Sequence, residues 1–407
     1  MSAAVQKPWL TLIGMGEDGL AGLSPAANAA LAQARLVVGG ARHLALAGDL
    51  AAETLAWPSP MEAAYAKILA RRGENVCVLA SGDPFFYGVG STLMRHVSAD
   101  EMLCLPAPSS FSLVAARLGW AQQDCALLTL HGRPLERIIP HLFDGAKIIA
   151  LSWDETTPAR LAQLLVQRGF GASSLTICEH LGGPQQRVRA CRAKNFDLTD
   201  VRALNTIALD VVASGDAQIL PRAPGLPDDF FEHDGQITKR EIRALTLSAL
   251  APRRGELLWD IGAGSGSVGI EWMLADPANA AIAIEASPAR VARIGRNALA
   301  LGTPGLRIVA GKAPEALLGL PTPQAIFIGG GVTAPGMIDV ALEALPPGGR
   351  LVVNGVTLET QSLLAARQAQ LGGGLMQAQI ARAEKIGGFT ALRPALPILQ
   401  WTFVRPC

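Results

Sequence analysis

Leu257-Leu258-Trp259-Asp260-Ile261-Gly262-Ala263-Gly264-Ser265-Gly266 reads as a strand that ends beside a carboxylate and breaks at once into alternating glycines. Its first five residues are almost wholly apolar, the pattern of a strand covered on both faces in a parallel sheet. Glycine at 262, 264 and 266 lets the backbone approach a ligand closely, and the helix expected next offers unpaired N–H groups. Ala281-Ile282-Ala283-Ile284-Glu285 is a second apolar strand closed by a carboxylate, suited to gripping two ribose hydroxyls. A nucleotide-bearing cofactor over a strand–glycine–helix turn follows from the pair.

Outward from this unit, short apolar runs keep alternating with helices. In the second half a helix is expected from about Thr238, strands at 306–309, 325–328 and 350–354, and an antiparallel edge over 378–404. The first half opens with a strand at 9–13, breaks at Gly14-Met15-Gly16-Glu17-Asp18-Gly19, and starts a helix at Ser24-Pro25, a cap followed by proline. Strands follow at 36–38, 76–80, 147–151, 175–178 and 206–212. The pattern predicts an α/β chain with parallel sheets. Pro221, Pro224, Gly225 and Pro227 punctuate a stretch without periodicity. The expected division is a domain over 1–212, a linker over 213–230 and a domain over 231–407. With no internal repeat, the halves are two different domains.

The 407 residues exceed one ordinary core, and with 50% hydrophobic residues and a mean hydropathy of +0.29 two cores are readily filled. No run reaches the roughly 18–20 apolar residues of a membrane span. Met1 to Trp9 lacks the parts of a signal peptide, so a cytoplasmic protein without a membrane partner is expected. Thirty-five basic and 34 acidic residues leave a net charge of +1, which gives no field to recruit nucleic acid. Cys77, Cys104, Cys125, Cys178, Cys191 and Cys407 are scattered, without Cys-x-x-Cys pairs or histidines at ligand spacing, and read as ordinary thiols with no metal.

Gly264-x-Gly266-x-x-Gly269 with Glu285 also satisfies the dinucleotide fingerprint, so a nicotinamide or flavin oxidoreductase competes. Asp260 is taken as the discriminator. Beside a pyrophosphate its carboxylate would be repelled by about 1–4 kcal/mol, and beside the ammonium of a methionine moiety it would be attracted by a similar amount. S-adenosylmethionine, a cation without phosphate, is therefore preferred, while a purely structural glycine turn stays in view. Ala325-Ile326-Phe327-Ile328-Gly329-Gly330-Gly331 is a further strand entering a glycine loop, and Asn354 ends the strand after Pro346-Pro347-Gly348-Gly349; both would face the cleft of a doubly wound fold.

Asp234-Gly235-Gln236-Ile237-Thr238-Lys239-Arg240-Glu241-Ile242-Arg243, then the 260–266 turn, then Ala313-Pro314-Glu315-Ala316-Leu317 resemble the CbiT family of decarboxylating precorrin methyltransferases. The resemblance covers 231–407. It implies that Thr238, Gly262, Ala263, Gly264, Ser265, Gly266, Glu285 and the backbone at Ala313 contact the cofactor. Where that family usually has aspartate, this chain has Lys312, which cannot accept a hydrogen bond from adenine. In the first half, Gly14 to Gly19, Ser81-Gly82-Asp83-Pro84-Phe85-Phe86-Tyr87-Gly88 and Pro106-Ala107-Pro108-Ser109-Ser110-Phe111-Ser112 resemble the tetrapyrrole methylases, especially their CbiE branch. That resemblance implies cofactor contacts from Ser81, Gly82, Asp83, Ser109 and Ser110, and places Gly14, Met15 and Gly16 near the substrate. It further implies a class III tetrapyrrole methylase fold of two α/β lobes followed by a class I Rossmann-like methyltransferase fold. One S-adenosylmethionine per domain, no metal, a tetrapyrrole substrate and a homo-oligomer are expected. The halves in this order resemble fused C(5,15)-methyltransferases that also decarboxylate. By that resemblance the second domain methylates carbon 15 and decarboxylates the acetate chain on carbon 12, and the first methylates carbon 5.

Such a substrate carries many carboxylates. Arg133 and Arg137 beside His131, and Lys239, Arg240 and Arg243 beside the second cleft, are the candidates to pair with them. His233, Asn354 and Glu359 are the candidate proton-transfer groups. Besides the methyltransferase and the oxidoreductase, a non-catalytic sensor of the cofactor is the third class considered.

Overall fold

The computed structural model describes residues 8–407, so the leader reading of Met1 to Trp9 falls mostly outside the described residues. The chain divides into two compact units. One takes the chain up to Leu135 together with His141–Gln218, the other Glu136–Pro140 together with Ile219–Cys407.

The first unit has two lobes. Strands β1 (Leu10–Met15), β2 (Leu36–Gly39), β3 (Glu53–Ala56), β4 (Val76–Ser81) and β5 (Met102–Leu105) form a sheet in the order β3-β2-β4-β1-β5. All its pairings are parallel, and helices α1 (Pro25–Ala32), α2 (Ala41–Ala47), α3 (Ala63–Leu69) and α4 (Gly90–Leu93) intervene along the chain. At the start of α1 the Ser24 hydroxyl accepts from the Ala27 N–H at 3.2 Å, the cap expected of Ser-Pro. Helix α5 (Ser110–Leu118) leads into the second lobe, where β6 (Cys125–Thr129), β7 (Lys147–Leu151), β8 (Ser174–Glu179), β9 (Arg187–Arg192) and β10 (Asn205–Asp210) assemble as β6-β7-β10-β8-β9, with α6 (Thr157–Gln167) between β7 and β8. This lobe departs from the expected parallel sheet. Only β6 and β7 run parallel, and β10 inserts antiparallel between β7 and β8. The β8–β9 connection is too short for the crossover that a parallel pair needs.

In the second unit α7 (Arg240–Leu250), β11 (Leu257–Ile261), α8 (Ser267–Ala275), β12 (Ala280–Glu285), α9 (Pro288–Ala300), β13 (Arg307–Ala310), β14 (Ala325–Ile328), α10 (Met337–Ala344), β15 (Arg350–Gly355) and α11 (Leu358–Leu371) wind a parallel sheet. The order is β13-β12-β11-β14-β15, followed by antiparallel β19 (Ile398–Val404) and β16 (Gly374–Ala378), the edge anticipated from the last part of the sequence. Between β16 and β19 the chain forms an exposed hairpin of β17 (Ala381–Ile386) and β18 (Phe389–Pro394). Register decides what this sheet can do. Ile261 is level with Ile284 and Ile328, Ile284 with Val309, and Ile328 with Val353, so five strands end on one line. The chain reverses its direction of winding between β11 and β14, where such sheets open a crevice.

The segment 213–230 is not a free tether. Its second part is packed on the second unit: Leu226 is buried in that core and Leu220 lies against it. The N–H groups of Gly225 and Leu226 donate to the two oxygens of Glu271 on α8, at 2.6 and 2.9 Å. Arg243, fully buried on α7, completes the network by donating to Glu271 Oε1 at 2.5 Å, to Asp228 at 3.2 Å and to the carbonyls of Leu226 and Thr238. Proline punctuation marked the loss of periodicity there, but satisfied buried charge keeps the backbone in place. Arg243→Ala should strand Glu271 in the interior and destabilise the second unit by about 3–5 kcal/mol. Urea unfolding followed by tryptophan fluorescence measures this, Trp259, Trp272 and Trp401 all lying in that unit.

Candidate active sites

Above the aligned strand ends of the second unit lies a cavity of about 840 Å³. That is toward the upper end of the roughly 300–1,000 Å³ typical of small-molecule sites. Its floor is two glycine loops in backbone contact. Gly262 has φ +70°, and a Cβ there would stand 2.9 Å from both the N and O of Gly330. Gly329 N–H donates to the Ile261 carbonyl at 2.9 Å, and the N–H groups of Gly262 and Ala263 share the Ile284 carbonyl at 3.0 and 3.2 Å. Glu285 holds the turn from the side, accepting from Gly264 N at 2.9 Å and Ser287 N at 2.9 Å. Each of its oxygens retains acceptor capacity toward the cavity it lines.

Thr238, Gly262, Ala263, Gly264, Glu285 and Ala313 all line this cavity, as do Lys239 and Asn354. The Asn354 amide is fixed, donating to Thr246 Oγ1 at 2.9 Å and accepting from Gln400 at 3.0 Å. Other expected residues lie elsewhere. Ser265 is buried under the turn and Gly266 packs against Ile294 at the start of α8. Arg243 is the buried strut described above, and Arg240 is exposed outside the cavity. His233 only closes a local turn, its Nδ1 accepting from Gly235 N at 3.0 Å, and Glu359 is exposed in the first turn of α11. Neither lines the cavity, so the proton-transfer role expected of them has no geometric basis.

The largest correction concerns Asp260. Its side chain is 1% exposed and turned into the protein, where Oδ2 accepts from Gly269 N in the first turn of α8 at 2.9 Å. Oδ1 has no partner among the described residues. Desolvation raises its pKa to about 7, with the Gly269 N–H opposing and the Glu285 charge adding. A carboxylate so placed meets no ligand ammonium, and the charge argument built on it fails. Sequence reasoning also passed over Arg290 and Arg382, which line the cavity from α9 and the hairpin; it noted Lys312 only as a departure. Arg290 is braced by Asp234 at 3.0 Å and Gln236 at 2.6 Å, and Arg382 pairs with Glu241. Lys312 has no carboxylate partner among the described residues. No local motif marks these cations, because each comes from a different element.

In the first unit, three distant segments meet backbone to backbone. A Cβ on Gly14 would overlap the Gly82 carbonyl, which accepts from Ala107 N at 3.1 Å, and a Cβ on Gly82, at φ +56°, would stand 2.7 Å from Ser109 Cα. Met15, Gly16, Ser81, Gly82 and Ser110 line the cleft there. Its enclosed part is about 60 Å³, with exposed Ser81 at its mouth, so a nucleoside would lie across the opening. Asp83 and Ser109 serve the backbone instead, accepting from Phe85 N at 2.8 Å and Ser112 N at 3.3 Å. Phe86 and Tyr87 pack on Phe111, with ring centroids 4.9 and 5.9 Å away, so the aromatic end of that loop is a small core. Arg133 stacks over Tyr87 and, like Arg137, does not line the cleft.

The cleft also holds a charged cluster that the motifs did not reveal. Arg42 pairs with Glu17 and donates to Ser81 Oγ at 2.9 Å, while Glu17 lies 2.8 Å from His180 Nδ1. His43 Nε2 is 3.0 Å from both Arg42 and Ser81; burial and then the Arg42 charge lower its pKa to about 4, so the ring is neutral. Glu17 stood in the quoted glycine loop. The histidines had no pattern to announce them.

One unit carries a glycine-floored cavity at its strand ends and the other a cleft between its lobes, and both halves match methyltransferase families. Residues 9–197 match the family model for Tetrapyrrole (Corrin/Porphyrin) Methylases, and 229–405 match that for the Precorrin methyltransferase domain. A Sinorhizobium sp protein named precorrin-6Y C(5,15)-methyltransferase [decarboxylating] is 56% identical over 99% of this chain and 98% of its own. A protein of the same name from Mycobacterium tuberculosis (strain ATCC 25618 / H37Rv) is 40% identical over 97% of this chain and 100% of its own. The solved C-terminal domain of precorrin-6Y C5,15-methyltransferase from Rhodobacter capsulatus is 49% identical, with a TM-score of 0.44, covering 46% of this chain and 100% of that one. The chain belongs to the family of decarboxylating precorrin-6Y C(5,15)-methyltransferases. The comparisons give the oxidoreductase alternative no support.

Because the Asp260 carboxyl has a higher pKa folded than unfolded, near 4, the native state holds a proton the unfolded chain has released across that interval. Its contribution to stability therefore falls as pH rises from about 4 to about 7 and then levels off. Denaturant midpoints at pH 5 and pH 8 should drop more for the native protein than for Asp260→Asn; equal drops would refute the assignment.

Proposed function

We propose that the chain methylates carbons 5 and 15 of a precorrin and decarboxylates its carbon-12 acetate, using one S-adenosylmethionine in each unit. The observation that carries this is the cavity of the second unit, where bare glycine backbone and one carboxylate meet a lining that brings Lys239, Arg290, Lys312 and Arg382. Those residues fit the cofactor: Glu285 retains lone pairs for ribose hydroxyls, the Gly262–Gly264 turn has no side chain in the way, and no phosphate cradle is needed. Arg290 and Arg382 are already paired with Asp234 and Glu241, and Lys239 lies 3.6 Å from Asp228, so Lys312 is the cation most available to an acceptor with many carboxylates. In the first unit, the peptide groups of Gly16 and Gly82 and the hydroxyls of Ser81 and Ser110 offer a nucleoside uncharged partners.

When bound, S-adenosylmethionine supplies an electrophilic methyl group. The protein's part is alignment, because an in-line displacement onto an already nucleophilic ring carbon depends on positioning. Buried Ile242, Phe327 and Met337 give the second cavity an apolar wall, and Asn354 presents an amide whose orientation Thr246 and Gln400 dictate. Lys239 and Lys312 hold peripheral carboxylates, leaving the carboxylate to be lost against the apolar wall, where desolvation favours its departure. The macrocycle takes up the electron pair as a ring position is protonated, so the substrate is its own electron sink. The 1–212 and 231–407 portions are read as the carbon-5 and carbon-15 catalysts.

Mass spectrometry of precorrin-6B incubated with the full chain and S-adenosylmethionine should show two methyls gained and one carbon dioxide lost. Gly82→Ala, which forces a Cβ against Ser109, should leave one methyl gain with decarboxylation intact. Gly262→Ala should abolish decarboxylation. Retention of every carboxyl by the native chain overturns the decarboxylase reading.

A further inference from the structure

His180 is held in the first unit's cleft in a way that ordinary packing does not require. It follows β8, and its backbone sits at φ +46°, a left-handed conformation uncommon outside glycine, though less so for histidine than for most residues. The chain is held on both sides. Glu179, fully buried, is gripped by Arg187 at 2.7 Å and by the Arg202 N–H at 2.8 Å, and the His180 N–H donates to the Leu204 carbonyl at 3.2 Å. The imidazole therefore lines the cleft, with Nδ1 on Glu17 Oε2 at 2.8 Å. Arg42 occupies the other Glu17 oxygen and also reaches Ser81 Oγ at 2.9 Å. Nε2 makes no hydrogen bond to the protein among the described residues.

A carboxylate on Nδ1 fixes the tautomer in which Nε2 is the acceptor, and it stabilises the imidazolium that forms once Nε2 takes a proton. The same pairing argues against a grip on a substrate carboxylate. Arg42, the cationic side chain facing that point, already pairs with Glu17, so little positive charge is left over.

We propose that His180 Nε2 is the proton acceptor of the methyl transfer in the first unit, with Glu17 and Arg42 as its positioning residues. The proposal rests on reading that unit as a tetrapyrrole methyltransferase. A π electron pair of the nucleophilic ring carbon forms the new C–CH₃ bond while the C–S bond of the bound donor breaks and its pair stays on sulfur as a neutral thioether. The methylated macrocycle, now cationic, releases a ring N–H proton to Nε2. The positive charge that began on the sulfonium ends on the imidazolium beside Glu17. No oxidant, reductant or further reactant is needed.

A strap between loop and strand is the competing role, and substitution at one position separates the two. His180→Asn places an amide N–H close to the position of Nδ1 and keeps the donor to Glu17, but has nothing at Nε2. In the full-length protein with precorrin-6B, His180→Asn should accumulate the product with one methyl and one carbon dioxide lost. Its carbon-5 methylation rate should fall about 10²–10⁴-fold. Affinity for S-adenosylhomocysteine by calorimetry, the unfolding midpoint and the second unit's decarboxylation should all stay at native values. Glu17→Gln should lower the same rate less, as expected of a group acting through His180. A native methylation rate in His180→Asn makes the histidine a strap only and overturns the proposal. So does a parallel loss of S-adenosylhomocysteine affinity, which would put the ring in the cofactor pocket. If the native chain itself adds no methyl at carbon 5, the reading of the first unit fails and carries the proposal with it.

Discussion

Gly262 stands so close to Gly330 that a side chain at 262 would have to displace backbone, and that approach floors the second unit's cavity. The approach is available because β11 and β14 end at the same level, Ile261 opposite Ile328, on either side of the point where the winding reverses. Parallel pairing sets the level, the reversal opens the gap, and positive-φ glycine lets two turns share it. Glu285, one strand over, then fixes the turn through the Gly264 N–H. Remove the close approach and the carboxylate, the cations and the apolar wall have no common floor to face.

Charge in this unit divides into two kinds that look alike in one dimension. Arg243, Glu271 and Asp260 flank the glycine motif and are buried; they spend their hydrogen bonds on Leu226, Gly225 and Gly269. Buried charge held by backbone groups organises the backbone, whereas a charge meant for a ligand must keep part of its capacity for the solvent-filled space. Lys312 does so, while Lys239 lies 3.6 Å from Asp228. The residue that departs from the expected pattern, Lys312, is thus better understood as part of a cationic lining than as a damaged adenine contact.

Strands and glycine turns were legible because burial and backbone freedom are local properties, written in runs of four to six residues such as 257–261 and 325–328. The resemblance to known motifs supplied the two fold classes. What could not be read was direction. Asp260 was correctly placed beside the glycines, yet its side chain turns away from them, since alternate residues of a strand face opposite sides. His233 and Glu359 failed for a related reason: nearness along the chain to a motif says nothing of which way a loop presents a ring or a carboxyl. The antiparallel insertion of β10 was equally hidden, because a buried strand has the same composition whichever way it runs. Glu17, Arg42 and His180 come together only after two sheets have formed.

The two units meet opposite electrostatic demands with different arrangements of the same residue types. In the second, cations from α9, the hairpin and the loops line the cavity, Arg290, Arg382 and Lys239 paired with carboxylates that do not line it and Lys312 without a carboxylate partner among the described residues. In the first, Glu17 pairs with Arg42 and holds the His180 imidazole within the cleft, and the neighbouring His43 is kept uncharged by burial. A lining richer in cations than in carboxylates holds an anion before any reaction; a balanced Arg42–Glu17 pair attracts little, but its carboxylate stabilises the charge that a proton brings to the neighbouring imidazole. The first arrangement suits holding a polycarboxylate and the second suits absorbing a cation as it is generated. Nothing in either cluster requires the other, which is why one chain can carry both without a shared motif.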